Sequence, residues 1–205
     1  MTLPETDQAL VFVLDDEPAV RDSLQELLES EHYQVRTFGS PSLFLQHLEP
    51  NRRACLILDL KMPEIHGLEV LREVMRRKQR LPTIVLTAHA EVPAVVSAMK
   101  TGAVNLLEKP CGDEQLLNAV RDALAQSEQR CELQANCEAV QSKIGRLSIR
   151  EREILHQLVS GKNVKQIGLQ FGTSPNTVRN QRGSILEKME ADSMADLVRM
   201  VLEAG

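Results

Sequence analysis

The sequence predicts two units, an α/β unit built on a parallel sheet and a smaller all-helical unit, within 205 residues. Three observations carry this. Over residues 1–125, five short apolar runs alternate with five amphipathic stretches, the pattern of a parallel sheet covered by helices on both faces. Over the last 60 residues no alternating segment occurs, and helix-start signals recur. Between the two, "QSEQRCELQANCEAVQSKIG" loses the strand pattern and holds few large apolar residues.

The apolar runs place strands at 10–14, 34–38, 54–58, 83–86 and 104–107. The stretches between them place helices at 18–30, 41–48, 67–77, 92–100 and 113–125. Val92, Val95, Val96 and Met99 illustrate the helical spacing, since they share one face of a 3.6-residue repeat. Gly39, Pro63, Gly102 and Pro110 punctuate the joins. Leu133, Cys137, Val140, Ile144 and Leu147 recur at roughly helical spacing, which predicts a helical linker over 126–145. It reads as a spacer, with a dimer-forming seam as the alternative.

Beyond it, Ser148 with Glu151 forms a capping-box pattern. Asn163 is placed to cap a helix running to about residue 171, and Ser174-Pro175 opens another that runs to about 189. Gly161 and Gly172 fall at the turns, while Ile167, Phe171, Val178, Ile185 and Met189 are spaced as core. A helix, a glycine-containing turn and a second helix make the helix-turn-helix layout.

Composition narrows the function. The chain is 42% hydrophobic and 26% charged, ordinary for a globular protein. No apolar run approaches the roughly 18 residues of a membrane span. The start, "MTLPETDQAL", lacks the basic flank and long apolar stretch of a secretory signal, so the expected location is the cytoplasm. The four cysteines include no C-x-x-C pair and read as free thiols. The net charge of −5 is unevenly spread: residues 1–125 carry −6 and residues 146–205 carry +2. Five bases stand against one acid within 161–188, so one end of the chain is suited to a polyanion. Aromatic residues make up only 2% of the chain, which offers RNA bases almost no stacking platform.

The polar residues at the strand ends have a chemistry in common. Asp15 and Asp16 end the first strand, Asp59 the third and Thr87 the fourth, while Lys109 follows the fifth. In a parallel sheet these ends meet in one shallow pocket. Clustered carboxylates require a cation, and an all-oxygen site with a few waters suits Mg²⁺, or Mn²⁺ in its place. A central carboxylate such as Asp59 can attack phosphorus, with the Lys109 ammonium and the Thr87 hydroxyl neutralising the phosphoryl oxygens.

On these residues, 9–125 resembles the receiver domain of bacterial two-component response regulators, whose fold is a flavodoxin-like, five-stranded (βα)5 sheet. That family has an acidic pair after strand 1, D-x-x-M-P-x-x-x-G after strand 3, Thr or Ser after strand 4 and Lys-Pro after strand 5. Here they are Asp15/Asp16, "DLKMPEIHG", Thr87 and Lys109-Pro110. The resemblance implies phosphorylation of Asp59 by a sensor histidine kinase. It also implies Mg²⁺ held by Asp16, Asp59 and the backbone carbonyl of Lys61, with Asp15 assisting through water. Leu106 stands at the switch position where the family usually has Tyr or Phe, and Cys111 stands where Phe often follows Lys-Pro.

Residues 146–205 resemble the four-helix LuxR-type helix-turn-helix, through "LSIRE", Gly161, "VKQIG", "TVRNQR" and "EKM". Val164, Gly168 and Gln181 replace the usual Asn, Ala and His. Lys165, Asn176, Thr177, Arg179, Asn180, Arg182 and Lys188 are the candidate contacts to DNA, since Arg and Asn can make paired hydrogen bonds to guanine and adenine. Together the halves resemble the FixJ/NarL type of transcriptional regulator. This implies promoter DNA and a kinase as partners, RNA polymerase as a further one, and a homodimer on phosphorylation.

Two other functions compete. A haloacid-dehalogenase-like phosphatase would need D-x-D at its nucleophile, where this chain has Asp59-Leu60-Lys61, so an enzyme is not expected. A DNA-binding regulator whose receiver works without phosphorylation is kept open by Leu106.

Overall fold

The computed structural model describes residues 9–48, 52–63, 65–77, 81–88 and 92–204. Residues 1–8 of the stretch without a secretory pattern, Glu64 of the loop motif and Gly205 lie outside them. The first unit runs β1 (Leu10–Leu14), α1 (Pro18–Ser30), β2 (Gln34–Phe38), α2 (Pro41–Gln46) and β3 (Ala54–Leu58). It continues α3 (Gly67–Arg76), β4 (Thr83–Thr87), α4 (Val92–Thr101), β5 (Asn105–Glu108) and α5 (Asp113–Gly145). The helical unit adds α6 (Ile149–Val159), α7 (Val164–Phe171), α8 (Pro175–Met189) and α9 (Met194–Glu203).

All five strands are parallel, in the order β2-β1-β3-β4-β5. β1, β3 and β4 are buried along their whole length, which is why they read as unbroken apolar runs rather than alternating ones. The two-residue side-chain period still sorts them between faces. Phe12, Leu14, Leu56 and Leu58 pack with Phe44, Val70, Leu71 and Val74 on one face. Val11, Val13, Cys55 and Ile57 pack with Leu24, Leu28, Leu116 and Val120 on the other. Cys55 is wholly enclosed there, and burial pushes its thiol up to about 12. β1 lies between β2 and β3, so the chain reverses direction across the sheet beside β1. The carboxyl ends of β1 and β3 therefore flank a crevice.

The expected elements form, with ends moved by one or two residues in α2, α3, β4, α4 and β5 and with one large shift: the helix placed at 113–125 runs unbroken to Gly145. That shift has a plain cause: no Gly or Pro occurs from 114 to 144. Contacts divide the chain into two compact units, Met1–Cys131 and Glu132–Gly205. In the first, Leu116, Val120 and Leu124 of α5 are buried against the sheet, and Ser127 Oγ accepts from the Ala54 amide at 3.0 Å. In the second, Val140 and Ile144 pack on the helical core of Ile154, Ile167, Val178, Ile185 and Met189.

Local signals fix the helical unit. Ser148 and Glu151 form the reciprocal capping box, and Asn163 and Gln166 form another. Ser174 accepts from the Thr177 amide ahead of Pro175. Gly172 ends α7 in the left-handed region, at φ 62°, where a side chain would be strained. A Cβ on Gly168 would come within 2.8 Å of the Thr173 carbonyl, so the glycine at this position lets the turn close tightly.

Candidate functional site

Backbone pairing carries the strand-end residues into one place. The Asp15 amide donates to Phe38, the Asp59 amide to Leu14, and the Lys109 amide to Thr87. Each therefore continues the ladder by one residue past its strand and projects from the same edge of the sheet. Asp15, Asp59 and Thr87 are buried, Asp16 is half-buried, and Asp15, Asp16 and Asp59 each offer a carboxylate oxygen within 4.8 Å of the other two. Lys109 Nζ sits 2.6 Å from Asp15 Oδ2 and 3.6 Å from Asp59 Oδ1.

Electrostatics follow from this crowding. Burial raises the Asp59 carboxyl above its ordinary value, and Asp15 adds to the rise, while Lys109 and the Leu60 and Lys61 amides oppose it. For Lys109 burial pulls downward, but its hydrogen bond to Asp15 and the charges of Asp59, Asp15 and Glu17 prevail and raise it. Three carboxylates face one ammonium. The excess negative charge and the all-oxygen donors fit a hard divalent cation.

The loop after β3 is built around Asp59. The Lys61 amide donates to Asp59 Oδ2 at 3.2 Å. A Cβ on Gly67 would collide with the Asp59 carbonyl, so only glycine lets α3 start this close to the acid. Arg21, which the sequence reading passed over, braces the other loop: its Nη1 donates to the carbonyls of Asp15 and Asp16 at 2.8 and 2.9 Å. Leu106 is not brought to the carboxylates. It pairs with Val85 across the strands and packs, half-buried, on the α3 face of the sheet.

On the helical unit the candidate DNA contacts separate. Lys165, Asn176, Thr177, Arg179 and Asn180 are exposed. Arg182 and Lys188 are half-buried. At 100° per residue Arg182 lies close to the Val178–Ile185 direction, and it lines a groove with Val164, Met194 and Val198. Lys188 Nζ is 2.8 Å from both carboxylate oxygens of Glu151, which also accept from Ser184 Oγ and the Ser148 amide. Its charge is thus engaged within the fold. Arg150 stacks 4.0 Å over the Phe171 ring, so "SIRE" serves α6, α7 and α8 at once.

The comparisons with known proteins agree with this geometry. Residues 11–121 match the response regulator receiver domain, and residues 146–201 match the bacterial regulatory proteins of the luxR family. The transcriptional regulatory protein FixJ of Azorhizobium caulinodans is 42% identical over 95% of this chain and 92% of its own. FixJ of Bradyrhizobium diazoefficiens is 34% identical over 98% of both chains. Among solved structures, the response regulator StyR superposes with a TM-score of 0.83 at 33% identity, covering 96% of this chain and 99% of its own. No helix among the described residues is long and apolar enough to cross a membrane. With a carboxylate pocket on its parallel sheet and a helix-turn-helix beyond, the chain belongs to the response regulators that join a receiver domain to a LuxR-type DNA-binding domain and regulate transcription.

Proposed function

We propose that Asp59 accepts a phosphoryl group from a phosphohistidine on a cognate sensor kinase, and that the modified chain pairs with a second copy and binds promoter DNA in the cytoplasm. The convergence of Asp15, Asp16 and Asp59 within 4.8 Å, with Lys109 between two of them, carries this reading. An Asp59 carboxylate oxygen attacks phosphorus, an O–P bond forms as the N–P bond breaks, and the electron pair returns to the donor's imidazole. The Lys109 ammonium and the Thr87 hydroxyl neutralise the oxygens of the transferring group. Asp16, Asp59 and the Lys61 carbonyl would hold Mg²⁺ or Mn²⁺, with Asp15 assisting; such an ion would offset the charge that three carboxylates and a phosphoryl group bring together. Lys165, Asn176, Thr177, Arg179 and Asn180 face DNA, and RNA polymerase is a further partner.

The test is intact mass after incubation with acetyl phosphate and Mg²⁺. The chain should gain one phosphoryl group, and Asp59→Asn should gain none while keeping its circular dichroism spectrum. An equal gain in Asp59→Asn would remove Asp59 from the role. Leu106 favours one second reading, a receiver that acts without phosphorylation; it predicts DNA affinity unchanged by acetyl phosphate.

A further inference from the structure

Gly183 lies in the middle of α8, and nothing in the fold requires a glycine there. Its φ is not among the positive ones, and a Cβ built on it meets no atom within 4 Å. The other glycines inside or at the start of helices contrast with it: a Cβ on Gly67 would strike the Asp59 carbonyl, and one on Gly168 would strike Thr173. Glycine is the poorest helix former after proline, so an exposed one in a helix interior weakens that helix with no return in packing.

The position is informative. Gly183 follows Asn176 by seven residues, Arg179 by four and Asn180 by three, and precedes Glu187 by four. All five are exposed, so they share the outer face of α8. The glycine is a notch in that face, where bare backbone reaches the surface between polar side chains.

We propose that Gly183 sets how deeply α8 seats in the major groove, by letting base edges approach the helix backbone where any side chain would hold them off. A glycine that a free fold does not need is accounted for by close approach of another molecule. The inference rests on the outer face of α8 being the DNA-reading face, and it adds a positioning residue whose contribution is the side chain it lacks. Phosphate contacts alone would not demand it, because they tolerate a longer reach.

The experiment uses the full chain treated with acetyl phosphate and Mg²⁺, and a duplex that the unaltered chain selects from a randomised pool. Gly183→Ala should raise the melting temperature of the helical unit by about 3–6 °C. The same change should weaken the selected duplex roughly tenfold, the scale of forcing one methyl into a closely fitted contact. Affinity for a duplex of unrelated sequence should stay as it was, since no charge has changed. A merely structural role would move stability and affinity in the same direction. Unchanged affinity of Gly183→Ala for the selected duplex, with Arg179→Ala and Asn180→Ala both weakened, would overturn this inference alone. Unchanged affinity in all three variants, or no selected duplex, would overturn the reading face with it.

Discussion

At the scale of single residues, the strand-end set was legible because chemistry and position coincide. Asp15, Asp16, Asp59, Thr87 and Lys109 are polar residues that interrupt apolar runs at matching ends of strands. Arg21 was not legible, since its partners are main-chain carbonyls and a sequence does not display those. The Lys188–Glu151 pair was not legible for a related reason: the partners lie 37 residues apart, and charge composition does not reveal a partner at that distance. Arg21→Met keeps the aliphatic stem and deletes both hydrogen bonds. Mg²⁺ binding by titration calorimetry should weaken about tenfold, the scale seen when groups that orient metal ligands are removed. Arg21→Lys should recover part of it. Equal affinities in all three proteins would show that the acidic loop holds its shape without the brace.

At the scale of elements, the hydrophobic pattern specified most of the fold, and boundaries failed where no breaker marked them. α5 overran its expected end because residues 114–144 contain neither Gly nor Pro, while α7 ended on schedule at Gly172. The joint between α6 and α8 offers a pH test. Hydrogen bonds from Lys188, the Ser148 amide and Ser184 hold the Glu151 carboxyl down at about 2, against an ordinary 4.5. A folded-state value below the unfolded one means that this stabilisation is complete above 4.5 and lost as pH falls toward 2. Lys188 is 41% exposed, so solvent screens the pair and its worth is modest. Glu151→Gln should cost about 1 kcal/mol at neutral pH, and the gap to the unaltered protein should close through that acidic window. Urea denaturation at several pH values measures it; a gap independent of pH would assign the loss to packing.

At the scale of the whole molecule, a linker read as a spacer proves to be shared between two cores. Val140 and Ile144 belong to the helical unit, Lys143 and Arg146 both pair with Glu190, and Cys137 Sγ lies 3.7 Å from the Glu203 carbonyl. A fragment beginning at residue 146 therefore cuts through a core. Fragment 132–205 should be more stable than 146–205 by about 2 kcal/mol from the two aliphatic side chains. That corresponds to roughly 10 °C in thermal melts followed by circular dichroism. Coincident melts would show that these turns add nothing. The protein has no tryptophan and one tyrosine, so its unfolding has little intrinsic optical signal. The enclosed Cys55 supplies another. Its sulfur is sealed beneath α1 and α5 and kept protonated, whereas the other three thiols are partly exposed. In a chain with Cys111, Cys131 and Cys137 changed to serine, an alkylating reagent can reach sulfur only when the sheet opens. The rate of mass gain then becomes a clock for receiver opening, and it should slow when Mg²⁺ binds the native state. Labelling as fast as that of a free thiol would mean that β3 is open to solvent at rest.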